Sequence, residues 1–377
     1  MKSFATKAEN LLRKMVVLAD YLIWLLLDPS KYMRIDRSRI KKVLIIHLGA
    51  IGELMILTPL LPAIKKGLNN PEIDFMVSPG KEGVLRNNPH VDRILAHKAS
   101  FMGNLNQIKS QNYDLAVIMW PCFLSITLMC VLAGIKYRIG CFKNFKDGLN
   151  FFLTRRTIDL RRKHAVESNL DIIRTIGLDN RNPKLEFDFS KKDLEEGKHL
   201  LNRLKLKRYA ILHPGFSFSN IKYPSRWWSP ERYAEVADYL IKNHNLKVVL
   251  TGSESERAFS DRIRAHMKNK KEAIITNGKL NLAELAYLIS KSKLVLSTGT
   301  GVMHIASAFD VKIIALMGKE NPSEWHPWTS KKNYMVMFHP EVCTECDKNY
   351  CRKKTQECML AIKSEEVINA AEELLGK

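Results

Sequence analysis

From residue 40 onward, short apolar runs rich in β-branched residues alternate with longer stretches whose apolar positions recur every three or four residues. In the first half the runs are KVLIIH (42–47), IDFMVS (73–78), RILAH (93–97) and LAVIMW (115–120). Between the first two, Leu57, Leu60, Leu61 and Ile64 fall at i, i+3, i+4 and i+7, which predicts one helical face. The pattern breaks over 177–193, GLDNRNPKLEFDFSKKD, a charged stretch with a turn-prone Asn-Arg-Asn-Pro, and a linker is expected there. It restarts with YAILHPG (209–215), KVVLTGS (247–253), AIITNG (273–278), LVLSTGT (294–300) and VKIIALMG (311–318). Ser229-Pro230-Glu231 reads as a helix start, with serine as N-cap and proline in the first turn. Tyr233, Val236, Ala237, Leu240 and Ile241 form the apolar face of that helix. Such alternation predicts an α/β protein with mostly parallel sheets covered by helices. Two domains are expected, 41–185 and 186–377, preceded by a helical extension over 1–40.

The extension carries an apolar run from Met15 to Leu27, MVVLADYLIWLLL, interrupted by Asp20. A spanning helix needs about 20 apolar residues, and no small-residue cleavage site follows the run. Arg13 and Lys14 precede it; Lys31, Arg34, Arg37 and Arg39 follow it. Two readings stay open: a helix lying on an anionic leaflet, or a helix packed on the first domain. Lys and Arg number 60 against 39 Asp and Glu, a net of +21, which points to an anionic partner. The charge is spread along the chain with no basic run interleaved with aromatics, which argues against nucleic acid.

Open parallel sheets bind ligands beyond the carboxyl ends of their strands, so the chemistry is sought in the loops there. The first such loop is Gly49-Ala50-Ile51-Gly52-Glu53. Its GxxG spacing is not GxGxxG, and no acidic residue ends a second strand, so a nicotinamide dehydrogenase is not expected. Glu53 at the helix start could cap the helix or take a proton. The second loop, HPGFSFSNIKYPSRWWSPERY (213–233), sets Ser217, Ser219, Lys222 and Arg226 ahead of a helix start, a pattern suited to phosphate. The third, STGTGVMHIASAF (297–309), places Thr298, Gly299, Thr300 and Gly301 between a strand and a helix, with His304 one turn on. Its backbone amides can form an anion site. The fourth is TGSESER (251–257), where Gly252 opens the turn and Glu254 or Glu256 could meet ribose hydroxyls or cap a helix.

Cys343, Cys346, Cys351 and Cys358 cluster near the end of the chain. They could hold a structural tetrahedral zinc, form two disulfides or stay reduced. Cys122, Cys130 and Cys141 sit among apolar neighbours and read as small buried hydrophobes.

Taken in order, KKVLIIHLGAIGELMILTPLLPAIKK, HPG…SRWWSPERYAEVADYL, TGTGVMHIASAFDVKIIALMGKENPSEWHPW and the tail ending CMLAIKSEEVINAAEELL resemble the ADP-heptose:lipopolysaccharide heptosyltransferases, glycosyltransferase family 9. YRIG (137–140) and HAVESNLDIIRTIGL (164–178) fit as well. The resemblance covers roughly 41–375. It implies a GT-B architecture, two Rossmann-like domains facing across a cleft. The donor, ADP-heptose, would sit mainly on the C-terminal domain and the lipid A–core acceptor on the N-terminal domain. It implies inverting sugar transfer with no obligatory metal, at the cytoplasmic face of the inner membrane. Glu53 would be the base. Gly49, Gly52, Ser217, Lys222, Arg226, Gly252, Glu256, Thr298, Gly299, Thr300, Gly301 and His304 would meet the donor. Three positions depart from the family's pattern: Glu53 and Gly299 each stand where aspartate is common, and Arg226 stands for a lysine. The same fold could instead use another nucleotide-sugar for a different surface glycan.

Overall fold

The structure is a computed structural model. It describes residues 34–120, 124–142, 152–158, 163–215, 224–318, 320–343 and 350–376, together with Met15 and Ala19. The apolar run 15–27 therefore lies outside the described residues except at those two positions. Among the described residues, no helix is long and apolar enough to cross a membrane.

The chain divides into two compact units, Met1–Pro183 and Lys184–Lys377. The first holds strands β1 (Lys42–His47), β2 (Glu72–Val77), β3 (Arg93–Ala96), β4 (Leu115–Ile118), β5 (Tyr137–Phe142) and β6 (Arg155–Ile158). The second holds β7 (Tyr209–His213), β8 (Lys247–Leu250), β9 (Ala273–Ile275), β10 (Leu294–Thr298), β11 (Ile313–Leu316) and β12 (Tyr334–Met337). The sheet orders are β3-β2-β1-β4-β5-β6 and β12-β11-β10-β7-β8-β9. Every pairing is parallel. Counted within each unit, both read 3-2-1-4-5-6, the doubly wound Rossmann order. The direction of winding reverses between β1 and β4 in the first unit and between β7 and β10 in the second.

Central strands are buried on both faces, so they are apolar without alternation. In β1, Val43 to Ile46 are at most 2% exposed, and Ile45 pairs with Phe75 on one side and Val117 on the other. The peripheral strands β5 and β6 carry Arg138, Arg155 and Arg156, and so they lack an apolar run. The Arg138 guanidinium turns to carbonyls of the adjoining turns, donating to Phe152 at 2.6 Å and to Ile135.

The helix expected across Leu57–Ile64 is two helices, Ile51–Met55 and Leu60–Gly67. Proline at 59 has no N–H to carry the first helix on. Instead Thr58 turns back, its hydroxyl donating to the Met55 carbonyl at 2.8 Å. Leu57, Leu60, Leu61 and Ile64 are nonetheless all buried.

In the second unit, Ser229 caps the helix Pro230–His244 by accepting from the Arg232 N–H at 3.3 Å. Trp228, just before it, is fully buried. Its indole donates to the Ile362 carbonyl at 2.9 Å and stands edge-on to Tyr233 at 4.7 Å. This contact ties the chain's last turn and helix, Ser364–Leu375, to the core of the second sheet.

Candidate active site

In the first unit the winding reversal lies at the end of β1. The chain leaves the sheet at His47, passes Gly49 and enters the helix Ile51–Met55 with Glu53 in its first turn. Glu53 Oε2 accepts from the Ala50 N–H at 2.9 Å and lies 3.5 Å from His47 Nε2. The imidazole is 3% exposed and the carboxylate side chain 28%, so of the two only the carboxylate is open to a reactant. A Cβ on Gly49 would stand 1.9 Å from Glu53 Oε2 and 2.5 Å from His47 Nε2. Glycine at 49 thus lets the Glu53–His47 pair close over the backbone. Gly52 lies half-buried in the first turn of the same helix. Capping and proton transfer, alternatives on sequence alone, are compatible here: the cap hydrogen bond fixes the rotamer, and a carboxylate keeps further lone pairs.

In the second unit four strand ends converge. Thr298, the last residue of β10, is buried and donates to the Gly215 carbonyl at 2.7 Å, joining the β7 and β10 loops across the reversal. Ser297 Oγ lies 3.1 Å from Thr300 Oγ1. Thr300 is the N-cap of the helix Gly301–Ala308 but makes no side-chain cap hydrogen bond. The first N–H groups of a helix suit an anion. His304, one turn on, is buried and lies edge-on to Trp325 at 6.4 Å.

His213 ends β7, with Nδ1 2.9 Å from the Thr251 hydroxyl. Burial holds its pKa below the ordinary imidazole range, with the Glu256 carboxylate pulling the other way, so the ring is neutral at pH 7. A Cβ on Gly215 would fall 2.3 Å from His213 Nε2. Glu256 is buried and its Oε2 accepts from both the N–H and the hydroxyl of Ser253 at 2.7 Å, a capping arrangement. Glu254 is exposed, with Oε2 2.4 Å from where a Cβ on Gly278 would stand. Gly252 makes room for Asn277, whose amide donates to the Ser253 carbonyl at 3.3 Å. Arg226 is bound to Glu320: its Nε donates to Oε1 at 2.6 Å, and Nη2 lies 2.6 Å from the same oxygen.

Sequence reasoning missed His47, Asn277 and Glu320. His47 and Asn277 stand at strand ends beside residues it did select, and that position was the available signal. Ser217 and Lys222 lie outside the described residues.

The cysteine tail packs beside the same region. Pro224 bridges to Tyr350, and Gln356 donates its side-chain amide to the Pro224 carbonyl at 3.2 Å. Cys343, Cys351 and Cys358 carry free thiols, and Cys351 Sγ accepts from the Gln356 N–H at 3.3 Å. Cys346 lies outside the described residues. Among the described residues, no group of three His, Cys, Asp or Glu could hold a metal ion.

Two Rossmann-type units in tandem, with a carboxylate at the reversal of the first and a Gly/Thr loop opening a helix at the reversal of the second, are the parts of a GT-B glycosyltransferase. Residues 104–356 match the model of glycosyltransferase family 9 (heptosyltransferase). The chain belongs to that family and is a glycosyltransferase. The lipopolysaccharide core heptosyltransferase OpsX of Haemophilus influenzae is 25% identical over 315 residues, covering 82% of this chain and 88% of OpsX. A family 9 glycosyltransferase structure from Veillonella parvula shares the fold with a TM-score of 0.75 at 21% identity, over 91% of this chain and 98% of that one. The Escherichia coli ADP-heptose lipopolysaccharide heptosyltransferase II does so with a TM-score of 0.69 at 22% identity, over 89% and 98%.

The Gly49 geometry has a direct consequence. Gly49→Ala forces the Glu53 carboxylate off its position. A displacement of about 1 Å costs roughly 100-fold in rate when a catalytic group is involved. The expected outcome is a fall in kcat of that order, with a lowered melting temperature because the new Cβ also presses on the enclosed His47 ring. Unchanged kcat in a folded Gly49→Ala protein would separate Glu53 placement from catalysis.

Proposed function

We propose that this glycosyltransferase moves a heptose from ADP-heptose to the core oligosaccharide of lipopolysaccharide, with inversion at the anomeric carbon. The observation that supports it most is the Glu53 carboxylate, fixed at a strand end in a family 9 chain whose relatives are named for this reaction. An acceptor hydroxyl attacks the anomeric carbon. The new C–O bond forms as the bond from carbon to the diphosphate oxygen breaks, and ADP leaves with the electron pair. The hydroxyl proton passes to Glu53, the general base. Charge grows on the departing diphosphate, and prepositioned donors must meet it. Arg226, the amides of Thr298–Gly301, Lys222 and Ser217 take that part. His304 and the Gly252 turn would shape the nucleotide end. Glu256, which caps the Ser253 turn through Oε2, or the exposed Glu254 would meet ribose hydroxyls.

The acceptor is an anionic lipid, and the net charge of +21 favours a protein working against such a surface. On this reading the enzyme sits at the cytoplasmic face of the inner membrane, held by the apolar run 15–27 and its basic flanks. A second reading keeps the mechanism and changes the sugar, for a different surface glycan; Gly299, where the family's pattern has aspartate, favours it.

The test is donor binding. Purified protein is melted with ADP-heptose and with other nucleotide-sugars. A donor present at 100 times its Kd adds about 2.7 kcal/mol of stability. Stabilisation by ADP-heptose above the others supports the first reading. A larger shift with a different nucleotide-sugar supports the second.

A further inference from the structure

The loop after β11 carries Glu320, a residue with no role in the mechanism above. Its side chain is only 9% exposed. A carboxylate so withdrawn from water is costly unless paired, and Arg226 supplies the pairing, with both Nε and Nη2 at 2.6 Å from Oε1. The far side of the carboxyl faces the nucleotide loop. A Cβ placed on Gly299 would stand 3.4 Å from both Cδ and Oε2 of Glu320. A side chain at 299 would therefore start in contact with the Glu320 carboxyl, beside the first turn of the helix Gly301–Ala308.

The positions on either side of Glu320 are held by packing and capping. Asn321 caps the short helix Pro322–Trp325, its side chain accepting from the Ser323 N–H at 3.0 Å. At Gly318 an added Cβ would meet Met359 Sδ at 2.8 Å and the Ser225 carbonyl at 3.1 Å, so the loop presses on the segment that carries Arg226.

We propose that Glu320 is a specificity-determining residue of the donor site. It positions Arg226 for the diphosphate, and it accepts hydrogen bonds from hydroxyls of the transferred sugar in the place that Gly299 leaves open. The inference rests on the donor-site reading above. A carboxylate repels a diphosphate and is no ligand for it. What it can do is hold the guanidinium by Nε and Nη2, leaving the Nη1 side of the fork for a phosphate oxygen. An ionised carboxylate is acceptor-only, so it selects hydroxyl donors. It also lies beside the Thr298–Gly301 loop, whose amides suit the phosphates, within reach of a sugar attached to them.

The test uses the full chain and calorimetric Kd values for ADP and ADP-heptose, with melting temperatures to confirm folding. Glu320→Gln keeps the volume and removes the charge. It should weaken ADP-heptose by about tenfold or more, the scale of a hydrogen bond to a charged group, and ADP by less. Gly299→Asp alone sets a second carboxylate against the first and should weaken ADP-heptose to a similar degree. Combining Gly299→Asp with Glu320→Ala should restore most of that loss, which a merely structural Glu320 would not produce. Arg226→Ala is the control for the donor site and should weaken ADP. Unchanged affinities in Glu320→Gln, or a double variant no better than Gly299→Asp, overturn the inference if Arg226→Ala still weakens ADP. If Arg226→Ala also leaves ADP binding unchanged, the donor-site reading fails and the inference falls with it. Should Glu320→Gln fail to fold, the comparison of Gly299→Asp with the double variant decides.

Discussion

Glu53→Gln is expected to lower kcat by about 100- to 10,000-fold, the usual range for removing a general base, while the Kd for the donor stays within about twofold. The amide keeps the shape of the side chain, and its oxygen can still accept from the Ala50 N–H, which the carboxylate meets at 2.9 Å. Helix capping therefore survives and proton acceptance does not. The two roles that competed for this residue are thus separable by experiment. Single-turnover kinetics with donor and acceptor provide the measurement, and a melting curve confirms that the cap is intact. A variant with full kcat would assign Glu53 to capping alone. The neighbour His47, 3% exposed and 3.5 Å away, is too enclosed to replace it.

Trp228→Ala should destabilise the second unit by about 3–5 kcal/mol, the range for truncating a large buried aromatic. The cost is nearly all cavity. The Ile362 carbonyl that the indole serves also accepts from Arg232 at 2.7 Å, so it keeps a partner when the ring is removed. Trp228→Phe, which retains most of the volume beside Tyr233, should cost clearly less. Chemical denaturation followed by a probe in the second unit distinguishes them. A loss under about 1 kcal/mol for Trp228→Ala would mean that the final helix docks on the sheet by other contacts.

The sequence carried the fold where burial is two-sided. In β1 and β7 nearly every residue is enclosed, so each strand stands out as an unbroken apolar run. Where one side is open the signal fades. The peripheral strand β6 is Arg-Arg-Thr-Ile, and no hydrophobic pattern marks it. β12, Tyr-Met-Val-Met at the other sheet's edge, is apolar throughout but only four residues long, and it went unassigned for its shortness rather than for want of apolar residues. Local chemistry was legible where residues adjacent in sequence form the loop, as with Gly49 and Glu53. It was not legible where partners are distant: Arg226 and Glu320 are 94 residues apart. Glu256 shows the opposite limit. Its place after a strand suggested either a ligand contact or a cap, and its hydrogen bonds to Ser253 make the cap without deciding the contact.

The most direct test of the account is a transfer assay with purified protein, ADP-heptose and lipopolysaccharide core acceptors lacking heptose at successive positions. The account expects one heptosyl residue to be added to one of these acceptors, with an inverted anomeric configuration and release of ADP, and the product to disappear in Glu53→Gln. Absence of transfer from ADP-heptose to every core acceptor, alongside turnover of another nucleotide-sugar, would contradict it.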